Sequence, residues 1–133
     1  MELKPVAGVP ESSFILYSLL KQRTPEQSIS HKEMPSWPDH IQFIASEPYL
    51  CWYLIFDEDA VGAIYLTKQR EIGIGIFNQH QFKGYGKQAV KMLIEKHPGP
   101  FYANINPNNF ASRRFFGENF DGQLIQYTYK CSL

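Results

Sequence analysis

The chain has 133 residues, of which 44% are hydrophobic, 15% aromatic and 20% charged, and its 13 Lys and Arg balance 13 Asp and Glu. This length predicts a single domain over 1–133 and excludes a barrel of alternating strands and helices, which needs about 200 residues or more. Zero net charge argues against a broad nucleic-acid surface and against an anionic membrane face, but leaves room for a small local phosphate site.

Glu2 to Val6 predicts a short strand. Pro10-Glu11-Ser12-Ser13 opens a helix to about Arg23, with an apolar side made of Phe14, Ile15, Tyr17, Leu19 and Leu20. The N-terminus lacks a long apolar stretch, so no secretory leader is expected and the cytoplasm is the expected compartment. Thr24 to Pro35 is polar and irregular. Ser36-Trp37-Pro38-Asp39 reads as a second helix start, with Ser36 as cap and proline in the first turn, running to about Ser46. Tyr49–Phe56, Ala60–Thr67 and Glu71–Phe77 then predict three strands on short connections, hence antiparallel. The longest apolar run, Leu50 to Phe56, is far short of the roughly 20 residues of a membrane helix. In the third strand Ile72, Ile74 and Ile76 alternate with Glu71, Gly73 and Gly75, and strand glycines often mean a close approach to the backbone. Gly84 to Lys96 is helical, Phe101 to Ile105 a strand, Asn106-Pro107-Asn108-Asn109 a turn that doubles as a helix cap, Phe110 to about Glu118 a short helix, and Leu124 to Lys130 a last strand. The order is β-α-α-β-β-β-α-β-α-β, a mixed α/β layer. Cys51 and Cys131 read as buried reduced thiols, and the two Cys and four His show no metal-ligand spacing.

The segment richest in chemistry is Gln81-Phe82-Lys83-Gly84-Tyr85-Gly86-Lys87, which joins a strand to a helix. Glycines there let a ligand approach the backbone, and the free N–H groups of the first helical turn point at it with the positive helix end behind them. This is a phosphate or diphosphate cradle. Lys83, Lys87 and Lys91, spaced by four, are expected on one helix face. A P-loop is excluded, because Gln88 follows Gly86-Lys87 where Ser or Thr is required. Gly84-x-Gly86-x-x-Ala89 matches a dinucleotide fingerprint in letters only. Antiparallel strands precede it, and Asn104 stands where an acid is wanted.

Gln81-x-x-Gly84-x-Gly86 resembles the Q/R-x-x-G-x-G/A signature of the GNAT superfamily of acetyl-CoA-dependent N-acetyltransferases. Asn106-Pro107-Asn108-Asn109-Phe110-Ala111-Ser112 to Phe116 resembles that family's following motif, and the element order is similar end to end. The resemblance implies acetyl-CoA as cosubstrate. It implies that the third antiparallel strand splays from the next parallel one, with pantetheine against the backbone of Ile74, Gly75 and Ile76. The diphosphate would lie on Gln81, Phe82, Lys83, Gly84, Tyr85, Gly86 and Lys87, and Asn109 would contact the pantetheine arm. Two departures stand out. Phe116 occupies the place of the family's usual proton-donating tyrosine, which leaves Tyr127, Tyr129 or solvent. Asn104 replaces a glutamate that some members use as base.

Acetyl transfer requires a neutral amine, so a base must take a proton from the ammonium. Glu71, beside the proposed cofactor edge, is the first candidate; His80, His31 and His40 are others. The expected function is acetyl transfer to the primary amine of a small molecule by direct attack. A loose likeness of Ser28–His31, His40–Ile44 and Trp52–Ile55 to enzymes acting on nucleotide-linked amino sugars suggests that acceptor. A peptide N-terminus, a non-catalytic acyl-CoA-binding module and a structural domain with a vestigial loop are the alternatives. No metal, nucleic acid or membrane partner is expected, and the protein would be a monomer or homodimer.

Overall fold

A computed structural model describes residues 1–24 and 33–133. Four strands, β1 (Glu2–Pro5), β2 (Cys51–Asp57), β3 (Asp59–Leu66) and β4 (Ile72–Ile76), form one antiparallel sheet in the order β1-β2-β3-β4. Four α-helices accompany it: α1 (Ser12–Gln22), α2 (Trp37–Ala45), α3 (Tyr85–Lys96) and α4 (Phe110–Phe120). As the sequence suggested, Ser36 caps α2 by accepting the Asp39 N–H, and Asn109 caps α4 by accepting that of Ser112.

The alternation of β4 divides the sheet's two faces. Ile72 joins Val61, Ile64, Leu66, Ala89, Val90 and Leu93 in a core under α3, with Ile74 and Ile76 packed against it. On the other face Val6, Leu16, Leu54 and Ala63 pack with Trp52 and Leu19. Two of the sheet glycines are space-makers. A Cβ at Gly62 would collide with the Gly75 carbonyl, and one at Gly73 with the ring end of Tyr65.

Two predicted strands do not form. Residues 101–105 make a single parallel bridge, Glu71 with Tyr102, and then leave β4. Residues 124–130 form no strand, and Leu124, Ile125, Tyr127 and Tyr129 face solvent. Their alternation is strand-like, but a strand needs a neighbour with a free edge, and propensity alone does not supply one. Past α4, Asp121 turns left-handed (φ 51°) and the Gly122 N–H bonds the Phe116 carbonyl, which ends the helix and sends the chain outward. Cys51 is half-buried and burial raises its thiol pKa, whereas Cys131 is exposed on this segment rather than buried.

Candidate active site

The site is an open strand edge beside an uncapped helix start. Ile72 donates its N–H outward to the Tyr102 carbonyl, while Phe77 and Glu71 bond inward to Val61 and Thr67 of the β3 side. Backbone direction alternates along an antiparallel strand, so Ile74 and Ile76 turn their backbone groups to the same outer edge as Ile72. Beyond the Tyr102 bridge no strand among the described residues pairs with that edge. The Ile76 carbonyl is taken by the chain itself, accepting from Gln22 Nε2 at 3.0 Å and Gln81 Nε2 at 3.3 Å. Ile74 and the Ile76 N–H face the open edge. Gly75 is exposed, and a Cβ there would have Leu19 as its nearest neighbour at 3.8 Å.

The loop after β4 is built from inside. Gln81 also reaches Asn78 Oδ1, and Gln22 accepts the Asn78 N–H, so two glutamines close the turn between β4 and α3. Gln81 therefore shapes the cradle through its side chain. Phe82 and Gly84 both have positive φ, 63° and 84°. Gly84 precedes α3 with no side-chain cap, so the first-turn N–H groups keep their free donors. Tyr85 donates to Asp57 Oδ2 at 2.6 Å, which fastens the helix start to the β2–β3 turn and raises the phenol pKa. Gly86 lies against Phe115 and Ile74. Lys83 sits in the loop, not on the helix; only Lys87 and Lys91 share the helix face expected of all three.

Glu71 and Asn104, which the sequence suggested separately, meet here: Asn104 Nδ2 donates to Glu71 Oε2. The Glu71 N–H bonds Thr67 Oγ1 at 2.9 Å. The carboxylate is thus held at the point where residues 101–105 part from β4. Asn109 uses its Oδ1 as the α4 cap. Phe116 is half-buried among Phe115 and Phe120. Tyr127 and Tyr129 stack on each other and are exposed. His40 is buried, with a ring nitrogen 2.8 Å from the Ser13 carbonyl and Tyr17 and Trp37 around it, so it is a packing residue. His80 stands beside Tyr85 with its Nδ1 buried and unpartnered among the described residues. His31 lies outside the described residues. Sequence reasoning missed Gln22, whose only signal was a polar residue at a helix end. It also missed Tyr65 and Tyr49, which read as ordinary strand aromatics.

An edge that opens after one parallel bridge, next to free helix N–H groups, fits a long amide arm carrying a diphosphate. Residues 15–121 match the family described as the acetyltransferase (GNAT) family. The chain belongs to the GNAT acetyltransferase family. It is an acetyl-CoA-dependent N-acetyltransferase, with acetyl-CoA as acetyl donor. Aminoglycoside antibiotic 6′-N-acetyltransferase AAC(6′)-IG from Acinetobacter haemolyticus superposes with TM-score 0.72 at 13% identity, over 100% of this chain and 99% of that one. An acetyltransferase from Thermus thermophilus gives TM-score 0.68 at 21% identity, over 90% of this chain and 84% of that one. At these identities the GNAT structures share the fold. No curated protein sequence matches significantly. No helix among the described residues is long and apolar enough to cross a membrane.

Proposed function

We propose that this GNAT enzyme acetylates the primary amine of a small molecule by direct attack on the donor thioester. The observation that carries the reading is the unpaired Ile74–Ile76 edge with Glu71 held beside its entrance. Acetyl-CoA supplies the activated acetyl group: as the acceptor nitrogen bonds the acetyl carbon, the thioester C–S bond breaks and the thiol leaves with a proton taken from solvent. The N–H groups of Gly84–Lys87 and the side chains of Lys83 and Lys87 hold the diphosphate, and the outward backbone groups of Ile74 and the Ile76 N–H line the path of the amide arm. One of the two outward N–H groups, that of Ile74 or that of Ile76, meets the negative charge that develops on the acetyl oxygen. Glu71 takes the proton that the acceptor ammonium must lose, and the Asn104 amide keeps the carboxylate aimed. Asn109 lies next to the arm at the head of α4. Nucleotide-linked amino sugars come first among acceptors on the sequence likeness; the protein works as a monomer or homodimer.

Calorimetric titration with acetyl-CoA, with NAD as control, tests the donor site, and an amine screen by thiol release tests turnover. Micromolar acetyl-CoA binding with no response to NAD is expected, and absence of acetyl-CoA binding overturns the reading. Phe116, which has no proton to give, favours one rival: a module that binds acyl-CoA without turnover. Release of free thiol with any amine rejects it.

A further inference from the structure

Tyr65, on β3, crosses its neighbour strand. It pairs with Gly73, and its Cζ, Cε2 and hydroxyl occupy the space that a side chain at 73 would fill. Gly73 directly precedes Ile74, the first residue of the open edge, and Glu71 lies two positions before it in the same alternation. The phenol therefore lies over Gly73 on the sheet face away from α3, beside the stretch of β4 that runs from Glu71 to the open edge. It is not a loose ring. Tyr49 stacks on it with centroids 3.9 Å apart and planes 4° from parallel. Trp52 meets Tyr49 edge-on at 4.8 Å, and Phe43 meets Trp52 at 6.1 Å. Behind these rings is a hollow of about 480 Å³, lined by Tyr49, Trp52, Val6, Ile44 and Leu50, with Glu47 as its charged member.

The chemistry of this wall is selective. Burial, with the hydrogen-bonded Tyr65 beside it, pushes the Tyr49 phenol up, so Tyr49 is neutral at any working pH. The Arg23 charge acts on Tyr49 from nearby. An aromatic wall of this kind offers a polycation no ion pair. It favours the flat C–H face of a ring or an apolar body, which stacks on aromatic surfaces.

Resting on the acetyl-transfer reading above, we infer that Tyr65, braced by Tyr49, determines acceptor specificity. It is the wall against which the acceptor's body stacks, and it selects amines carried on a ring over open-chain amines and polyamines. Tyr49 and Trp52 then continue that wall toward the hollow.

The test compares wild type with Tyr65→Leu and Tyr65→Phe on four amines: glucosamine and tyramine as ring-borne, butylamine and spermidine as open-chain. Acetyl-CoA affinity is measured in parallel by calorimetry. Wild type is expected to prefer the ring-borne pair. Tyr65→Leu lowers kcat/KM for that pair about tenfold through KM, leaves the open-chain pair nearly unchanged, and keeps the acetyl-CoA Kd within about twofold. Tyr65→Phe retains the preference because the ring remains. Should Tyr65→Leu not fold by thermal melt, Tyr49→Leu, which removes the outer ring, carries the same expectation. Equal losses on both classes, an unchanged preference, or no turnover of either ring-borne amine by a wild type that binds acetyl-CoA overturns the assignment to Tyr65 alone. Failure of wild type to bind acetyl-CoA overturns the acetyl-transfer reading, and this inference with it.

Discussion

Gly84 and Gly86 belong to one signature, yet the structure gives them opposite responses to the same substitution. Gly84 has φ 84°, in the left-handed region, and a Cβ there meets nothing within 4 Å. Its cost is therefore purely conformational, about 1–2 kcal/mol for an L-residue, offset by a few tenths from reduced unfolded-state entropy. Gly86 lies in the first turn of α3, and its added Cβ would sit 3.5 Å from Phe115 Cζ, an ordinary contact. Alanine there gains helix propensity, up to about 1 kcal/mol. Gly84→Ala should thus be less stable than Gly86→Ala by roughly 2 kcal/mol. For a domain of this length that gap is about 5–10 °C in Tm. Calorimetric melts of the two variants and wild type at one pH measure it. A Gly86→Ala protein less stable than Gly84→Ala would refute the assignment of strain to Gly84. The larger Gly84→Val places a branched side chain at the mouth of the cradle and should weaken acetyl-CoA about tenfold or more while the protein stays folded. Unaltered affinity in that variant removes the loop from the donor site.

Gly62→Ala should destabilise more than Gly73→Ala, because it strikes the Gly75 carbonyl of the neighbouring backbone, whereas Gly73→Ala strikes a side chain that can swing away. Urea unfolding ranks the two, and Tyr65→Leu should recover most of the 1–3 kcal/mol expected for Gly73→Ala; strict additivity in the double variant would contradict the contact. Glu71→Gln should cut kcat at neutral pH with the acetyl-CoA Kd unchanged, and Asn104→Leu should give a smaller loss of the same kind; full activity in Glu71→Gln clears it of the base role. Because the folded Tyr49 phenol is raised, the native state keeps a proton that the unfolded chain loses near pH 10. That contribution is complete below about pH 10 and declines as pH rises toward the folded value. Tyr49→Phe should therefore lose less Tm than wild type between pH 9 and about 11, and identical alkaline slopes would speak against the burial.

The period of two in Ile72, Ile74 and Ile76, the Gly84-x-Gly86 junction and the caps at Ser36 and Asn109 were all legible from residue order, because each is set by neighbours a few positions away. So was the family, which rests on short motifs. Strand formation at 101–105 and 124–130 was not, since a strand exists only by pairing, and pairing is decided by where α3 and α4 send the chain. The meeting of Asn104 with Glu71, the lock of Gln22 on the β4 turn, and the phenol of Tyr65 over Gly73 join residues 33, 54 to 56 and 8 positions apart. Gly73 shows the difference best. Its sequence context marks a backbone that something approaches, which is correct, but only the register of β3 against β4 reveals that the approaching group is the chain's own tyrosine.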